Sequence, residues 1–231
     1  MQLGQATWSE VAATAGRAIV AFPVGSLEQH GPHLPLDTDT RIAVALVDAL
    51  ARRRTDVAAA PPLAYGASGE HADFPGTLLI DHHVLAGVVV ELVRSARAAF
   101  GGVVFVSAHG GNAEGLALAE GRCRDDGDDV LFWRAHGQGG DAHAGRTETS
   151  LMLAIDPSRV RLELAEAGCT EPIEAVMPRL RAEGVRPISS NGVLGDPAGA
   201  NAAEGHELLA RLAEDLAASV TARWPRGASR S

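Results

Sequence analysis

The sequence predicts an α/β chain: a single three-layer α/β/α domain with a mostly parallel central sheet, spanning residues 1–231. Three observations carry this. Short, strongly apolar runs at residues 17–25 and 56–63 stop at Gly25 and Pro61-Pro62, and a third at 102–108 runs into His109-Gly-Gly, as suits strands buried on both faces. Segments with apolar residues at helical spacing alternate with them, the order of an α/β fold. No repeat or linker breaks the alternation, and only the tail from about residue 225 reads as frayed.

In chain order, residues 9–16 read as a short helix and Arg17-Ala-Ile-Val-Ala-Phe-Pro-Val-Gly as a buried strand. From Thr40 to Arg54, Ile42, Leu46, Val47, Ala49 and Leu50 recur at helical spacing, with Asp39 or Thr40 available as a cap. A short strand from Asp56 stops at Pro61-Pro62, and a polar, glycine-rich loop fills residues 64–77. His82 to Phe100 is a helix with Leu85, Val88, Val89, Leu92 and Val93 on one stripe. The strand from Gly102 ends on His109-Gly-Gly-Asn, and a helix follows from Asn112 or Ala113 to about Arg124. Val130–Arg134 is a further strand. After a loose stretch to Gly145, Thr147–Ile155 reads as a helix with a good cap, ended by Asp156-Pro157. Residues 158–200 read as irregular structure with short strands, and Asn201–Trp224 as a long amphipathic helix with Leu208, Leu209, Leu212, Leu216 and Val220 inward.

Composition narrows the function classes. Twenty Lys plus Arg against 29 Asp plus Glu gives a formal charge of −9, which argues against nucleic acid or an anionic membrane as partner. Cys123 and Cys169 are too few for a disulfide framework and too far apart for a metal knuckle. The N-terminus lacks a signal-peptide pattern and no apolar run approaches the roughly 20 residues of a membrane span, so a cytoplasmic location is expected.

Chemistry concentrates in Gly25–Asp39. Glu28 and His30 are two apart and share a face on extended backbone. Pro32 and Pro35 forbid a helix and shape a loop able to carry Asp37 and Asp39 back to the same point. Carboxylate plus imidazole plus carboxylate suits Zn²⁺, Mn²⁺ or Fe²⁺; the alternative is a solvated polar loop. His109 ends a strand, and the amides after it, at Gly110 and Gly111, suit an oxyanion; a tight turn that needs glycine is the plainer reading. In His143-Ala-Gly-Arg-Thr-Glu-Thr-Ser, His143 can move a proton to a leaving amine, and Glu148 gains from the helix dipole whether or not it binds metal. Ser68, Glu70, His71 and Asp73 could line a substrate pocket or be solvated. His33 and His71 stand in reserve, with His82, His83, His136 and His206 as background.

Together, Glu28-Gln-His-Gly-Pro-His-Leu-Pro-Leu-Asp-Thr-Asp, Phe74-Pro-Gly-Thr, His109-Gly-Gly-Asn and His143-Ala-Gly-Arg-Thr-Glu-Thr-Ser resemble the creatininase family of metal-dependent amidohydrolases, in the family's order across about residues 18–155. The resemblance implies the creatininase fold and two divalent metals per subunit. Glu28 and His109 would bind one metal and His30 the other, with Asp39 bridging, His143 transferring the proton and Ser68 contacting substrate. Creatininases proper carry Tyr and Glu after the matching histidine. Here these are Gly110 and Gly111, so the second metal lacks a ligand, and Glu148 is the candidate replacement. A tryptophan that helps hold creatinine corresponds to Gly139, which makes creatinine a poor substrate. Ser189-Ser-Asn-Gly-Val-Leu-Gly-Asp-Pro and Ala203-Glu-Gly resemble the family's peptide-cutting branch. That branch implies release of a modified C-terminal Val-Tyr unit from a ribosomally made precursor peptide in redox-cofactor maturation, by a homo-oligomer built as a ring of several subunits. Glycines beside His109 agree with a pocket widened for a peptide. The rivals are a sibling amidohydrolase acting on a formamide or small cyclic amide, and a metal-binding protein without catalysis.

Overall fold

The computed structural model describes residues 1–135 and 141–226. Four strands, β1 (Ile19–Val24), β2 (Val57–Ala59), β3 (Gly102–Ser107) and β4 (Val130–Arg134), form one sheet in the order β2-β1-β3-β4, every pair parallel. Their continuous apolar sequences follow from burial on both faces. Ile19, Ala21, Val104 and Val106 face one layer, built by α2 (Thr38–Arg53), α5 (Arg146–Ile155) and α7 (Ala202–Arg223) through Ile42, Leu46, Leu50, Met152, Leu212 and Leu216. Val20, Val24, Val103 and Phe105 face the other, built by α3 (His82–Ala96) and α4 (Ala113–Asp125) through Leu85, Val89, Val93 and Leu116. Within that layer Phe22, Phe105 and Phe132 occupy one register across three strands and stack with centroids 5.0 and 5.5 Å apart. The result is the three-layer α/β arrangement the sequence predicts.

Strand order decides where the site lies. From β1 the chain crosses to β2 on one side, then returns to β3 on the other, so the order reverses between β1 and β3. Ligands of open α/β sheets gather at the carboxyl ends of such a pair. The loops leaving β1 and β3 there are residues 25–37 and 108–112, which hold Glu28, His30 and His109.

Several expectations need correction. The first helix, α1, covers only Trp8–Ala12, closed by a capping box between Thr7 and Glu10. The second helix starts at Thr38, so Asp39 and Thr40 lie inside its first turn and neither caps it; the N-cap position, Asp37, makes no side-chain cap bond. Helix α5 starts on Gly145 without a cap of its own; Asp141, from the preceding loop, accepts from the Arg146 amide instead. The stretch read as irregular with short strands contains a helix, α6 (Ile173–Glu183), with Pro178 inside it and Val176 its buried residue. In place of strands there, the described residues show a single bridge, His143 with Leu194. Both cysteines are free. Of the tail, Pro225 and Arg226 are exposed, and residues from 227 lie outside the described ones.

Candidate metal centre

Asp39 stands at the middle of a buried cluster. Its Oδ1 lies 3.3 Å from His30 Nε2 and its Oδ2 lies 3.1 Å from His109 Nδ1, so the two oxygens face different histidines. Glu28 Oε2 is 3.1 Å from His109 Nε2, and Glu148 Oε2 is 3.9 Å from His30 Nε2. His71 Nε2 and His143 Nδ1 approach the other oxygen of Glu28 at 3.4 and 3.8 Å. Three overlapping trios therefore bring ligand atoms within 4.8 Å of one another: Glu28, Asp39 and His109; His30, His143 and Glu148; Glu28, His71 and His143. Asp81, His82 and His83 make a separate, more exposed group at the start of α3.

Each side chain is placed by a local reason. The extended loop after β1 turns Glu28 and His30 to the same interior, as their spacing predicts. Asp39 points inward from the first turn of α2, where Ser26 Oγ donates to its Oδ2 at 2.7 Å. Asp37 turns out to solvent and pairs with Arg41 at 2.8 Å, contrary to the reading that both aspartates return to one point. Asn112 ties three loops together: its amide donates to Gly25 O and its oxygen accepts from Ala67 N, both at 2.9 Å. Glu148 reaches back from α5 to accept from Ala144 N at 2.6 Å. Ser68 is buried with Oγ 3.3 Å from His109 Nε2, and His71 is buried against Glu28. His33 is buried too, bonded to Thr149 Oγ1 at 2.9 Å. Asp73 is exposed, and Gly139 and His136 lie outside the described residues.

Electrostatics bears on what the cluster can hold. Burial pushes Glu28 and Glu148 up to about 7. Burial alone would raise Asp39 as well, but His30 and His109 hold it well below the usual carboxylate range. Against their own burial, His30 is raised to about 10 by Asp39, and His109 to about 10 by Glu28 and Asp39. Without a cation the histidines would have to keep extra protons to balance the carboxylates. Burial and the neighbouring histidines push His71 down to about 3 and His143 well below the ordinary range.

The donor set fits divalent cations. His30 Nδ1 is bonded to Glu28 O at 3.2 Å and His109 Nε2 to Ala67 O at 3.2 Å, leaving His30 Nε2 and His109 Nδ1 to face Asp39. A neutral histidine so arranged points a lone pair at a carboxylate oxygen, an unfavourable contact that a cation between them reverses. Both oxygens of Glu28 are buried without a hydrogen bond of acceptable geometry, a costly state for a carboxylate that a metal ion relieves.

The glycines after His109 differ from each other. Gly110 is exposed, with open space where a side chain would stand. At Gly111 a Cβ would meet Ala67 O at 2.3 Å, His109 Nε2 at 2.5 Å and Glu70 Oε1 at 2.6 Å. The space beside Gly111 is thus not open, since Glu70 fills it. Sequence reasoning passed over Ser26, Asn112 and Gln29. Ser26 could have been noticed two residues before Glu28, on the same face of an extended segment; nothing local marks the other two.

The family model described as creatininase, creatinine amidohydrolase, matches residues 4–220. The chain belongs to the creatininase family. Among its relatives, the mycofactocin precursor peptide peptidase of Mycobacterium tuberculosis is 43% identical over 232 residues, 96% of this chain and 91% of that protein. The protein of the same name from Mycolicibacterium smegmatis is 46% identical over 211 residues, 89% and 85% of the two. The creatinine amidohydrolase of Pseudomonas putida is 31% identical over 193 residues, 70% and 74%. A tryptophan-to-phenylalanine mutant creatininase superposes with a TM-score of 0.80 at 27% identity, covering 96% of this chain and 98% of that one. A manganese creatininase gives 0.78 at 28% identity over 96% and 98%. A glutamate-to-glutamine mutant creatininase of Zn-Zn type is also among the neighbours, with a TM-score of 0.78. As a creatininase-family member the chain is a hydrolase of amide bonds, and its histidine and carboxylate cluster fits the divalent metals of those structures.

Proposed function

We propose that this protein is a metal-dependent peptidase that cuts an amide bond near the C-terminus of a modified precursor peptide, releasing its Val-Tyr unit during redox-cofactor maturation. The observation that carries the metal reading is the placement of each Asp39 oxygen against a different histidine, 3.3 and 3.1 Å away. The peptide reading rests on identities of 43% and 46% to proteins named mycofactocin precursor peptide peptidase. Glu28, His109 and one oxygen of Asp39 would hold one divalent cation; His30, Glu148 and the other oxygen would hold a second. Such cations, Zn²⁺, Fe²⁺ or Mn²⁺, supply Lewis acidity, lowering the pKa of water to about 7 and polarising a carbonyl.

The chain's own residues do the rest. His143, neutral and buried, turns Nδ1 toward Glu28 Oε1 at 3.8 Å, where it accepts a proton and passes it to the departing nitrogen. Ser68, buried beside His109, is placed to orient the substrate carbonyl. The open space at exposed Gly69 and Gly110 admits the peptide, whose backbone the Gly110 and Gly111 amides can meet. His71, buried behind Glu28, shapes the floor of the pocket. The protein acts in the cytoplasm as a homo-oligomer, a state consistent with the exposed apolar side chains Leu78, Leu79 and Val84.

The test is incubation of metal-loaded protein with modified precursor peptide, with small amides and with creatinine, followed by mass spectrometry and metal analysis. Loss of the C-terminal dipeptide, abolished by chelator, is expected. Turnover of a formamide or cyclic amide alone would transfer the activity to another branch of the family. One bound ion with no turnover of any amide would make the protein a metal binder.

A further inference from the structure

Between Glu28 and His30 lies Gln29. The Gln29 side chain turns to the opposite side of the loop and is buried among His71, His143 and the backbone of the 189–195 segment. Two backbone contacts fix which way its amide points. Gly31 N donates to Oε1 at 2.9 Å, and Nε2 donates to Gly192 O at 3.0 Å. A flipped amide would set donor against donor at Gly31 N and acceptor against acceptor at Gly192 O. Close approach of Gly192 needs the absence of a side chain, because a Cβ there would stand 1.9 Å from Gln29 Oε1.

With the amide fixed, Nε2 has one hydrogen left and two neighbours, His71 Nδ1 at 2.8 Å and His143 Nε2 at 3.1 Å. His143 Nε2 also lies 2.8 Å from the Gln29 backbone oxygen, which can only accept, so that nitrogen carries a proton. The remaining amide hydrogen therefore goes to His71 Nδ1, which must offer a lone pair. We propose that Gln29 is a positioning residue that sets the ring-proton placement of both histidines: Nε2–H with free Nδ1 on His71, and Nε2–H on His143, whose Nδ1 is left for proton transfer.

Two consequences follow. His71 turns an N–H edge to Glu28 Oε1, so Glu28, His71 and His143 do not form a third cation site although their atoms lie within 4.8 Å. The 189–195 segment acts on the centre through Gln29 as well as through the bridge of Leu194 to His143. The inference concerns the histidine that the peptidase reading uses, and it is tested without turnover.

In zinc-loaded protein labelled with ¹⁵N-histidine, long-range ¹H–¹⁵N spectra at constant pH should show a protonated Nε2 and an unprotonated Nδ1 on His71, and a protonated Nε2 on His143. A proton on His71 Nδ1 in the wild type overturns the proposal, and no variant need fold for that result. Gln29→Glu removes the donor; His71 should then move its proton to Nδ1. For whichever amide the wild type cuts, kcat should fall about 10- to 100-fold, with KM within about twofold. An unchanged His71 tautomer in folded Gln29→Glu would equally refute it. Failure of the wild type to cut peptide, with the predicted spectrum, would refute the peptidase reading alone.

Discussion

Asp39 bears the largest burden of any single residue, since its two oxygens serve histidines from two different loops. Asp39→Asn keeps the volume and the Ser26 contact while removing the charge that two cations would share. Metal content should fall from about two equivalents to below one and hydrolysis by at least ~100-fold, with an unchanged circular dichroism spectrum. Retained turnover in that variant would contradict a bridging role. His143→Gln should behave differently, keeping its metal while kcat drops about 10²- to 10⁴-fold, as read by metal analysis beside steady-state kinetics. At this scale the sequence was informative where residue type and spacing sufficed: Glu28, His30, Asp39 and His109 sit in short, polar, glycine- and proline-shaped segments. Gln29 and Asn112 act largely through partners distant in sequence, such as Gly192 and Ala67. The same holds for Glu70, whose carboxylate occupies space beside a glycine 41 positions later in the chain.

At the level of elements, strands buried on both faces announce themselves as unbroken apolar runs, which is why β1 and β3 were legible to within two residues. The helix α6 was not, because it lies on the surface with Val176 as its buried contact and carries Pro178 in its interior. Proline there lacks the N–H that would bond to the carbonyl four residues back, yet the helix continues through it. Pro178 is exposed, so Pro178→Ala should restore that bond at little packing cost. Stability in denaturant titration should rise by ~1–3 kcal/mol; a loss of stability would mean that the proline holds α6 against the 69–71 turn it touches.

For the molecule as a whole, strand order explains why the histidine and carboxylate cluster gathers beyond β1 and β3, and pH should expose its electrostatic cost. In the metal-free protein Glu28 and Glu148 titrate near 7, above a carboxylate's ordinary value, so ionising them destabilises the fold progressively from about pH 4.5 to 7. His30 and His109, raised to about 10, contribute stability fully below about pH 6.5 that is lost as pH climbs through 10. Asp39, lowered, contributes stability above its ordinary value that is lost in acid. His33, His71 and His143, lowered by burial, work the other way and gain stability as pH rises to about 6.5. Metal-free protein should therefore be most stable near pH 6 and melt at progressively lower temperature from about pH 6.5 to pH 8. Bound cations want ionised carboxylates and neutral imidazoles, so the loaded protein should show the opposite slope. Parallel slopes in calorimetry with and without chelator would rule out this balance.

Crystals soaked with Zn²⁺ or Mn²⁺ and measured at the metal's absorption edge would show directly whether the buried carboxylates and imidazoles share a pair of ions. Two anomalous peaks are predicted, one touching Glu28 and His109, the other His30 and Glu148, with the Asp39 carboxylate between them. A single peak, or density away from Asp39, would contradict the account.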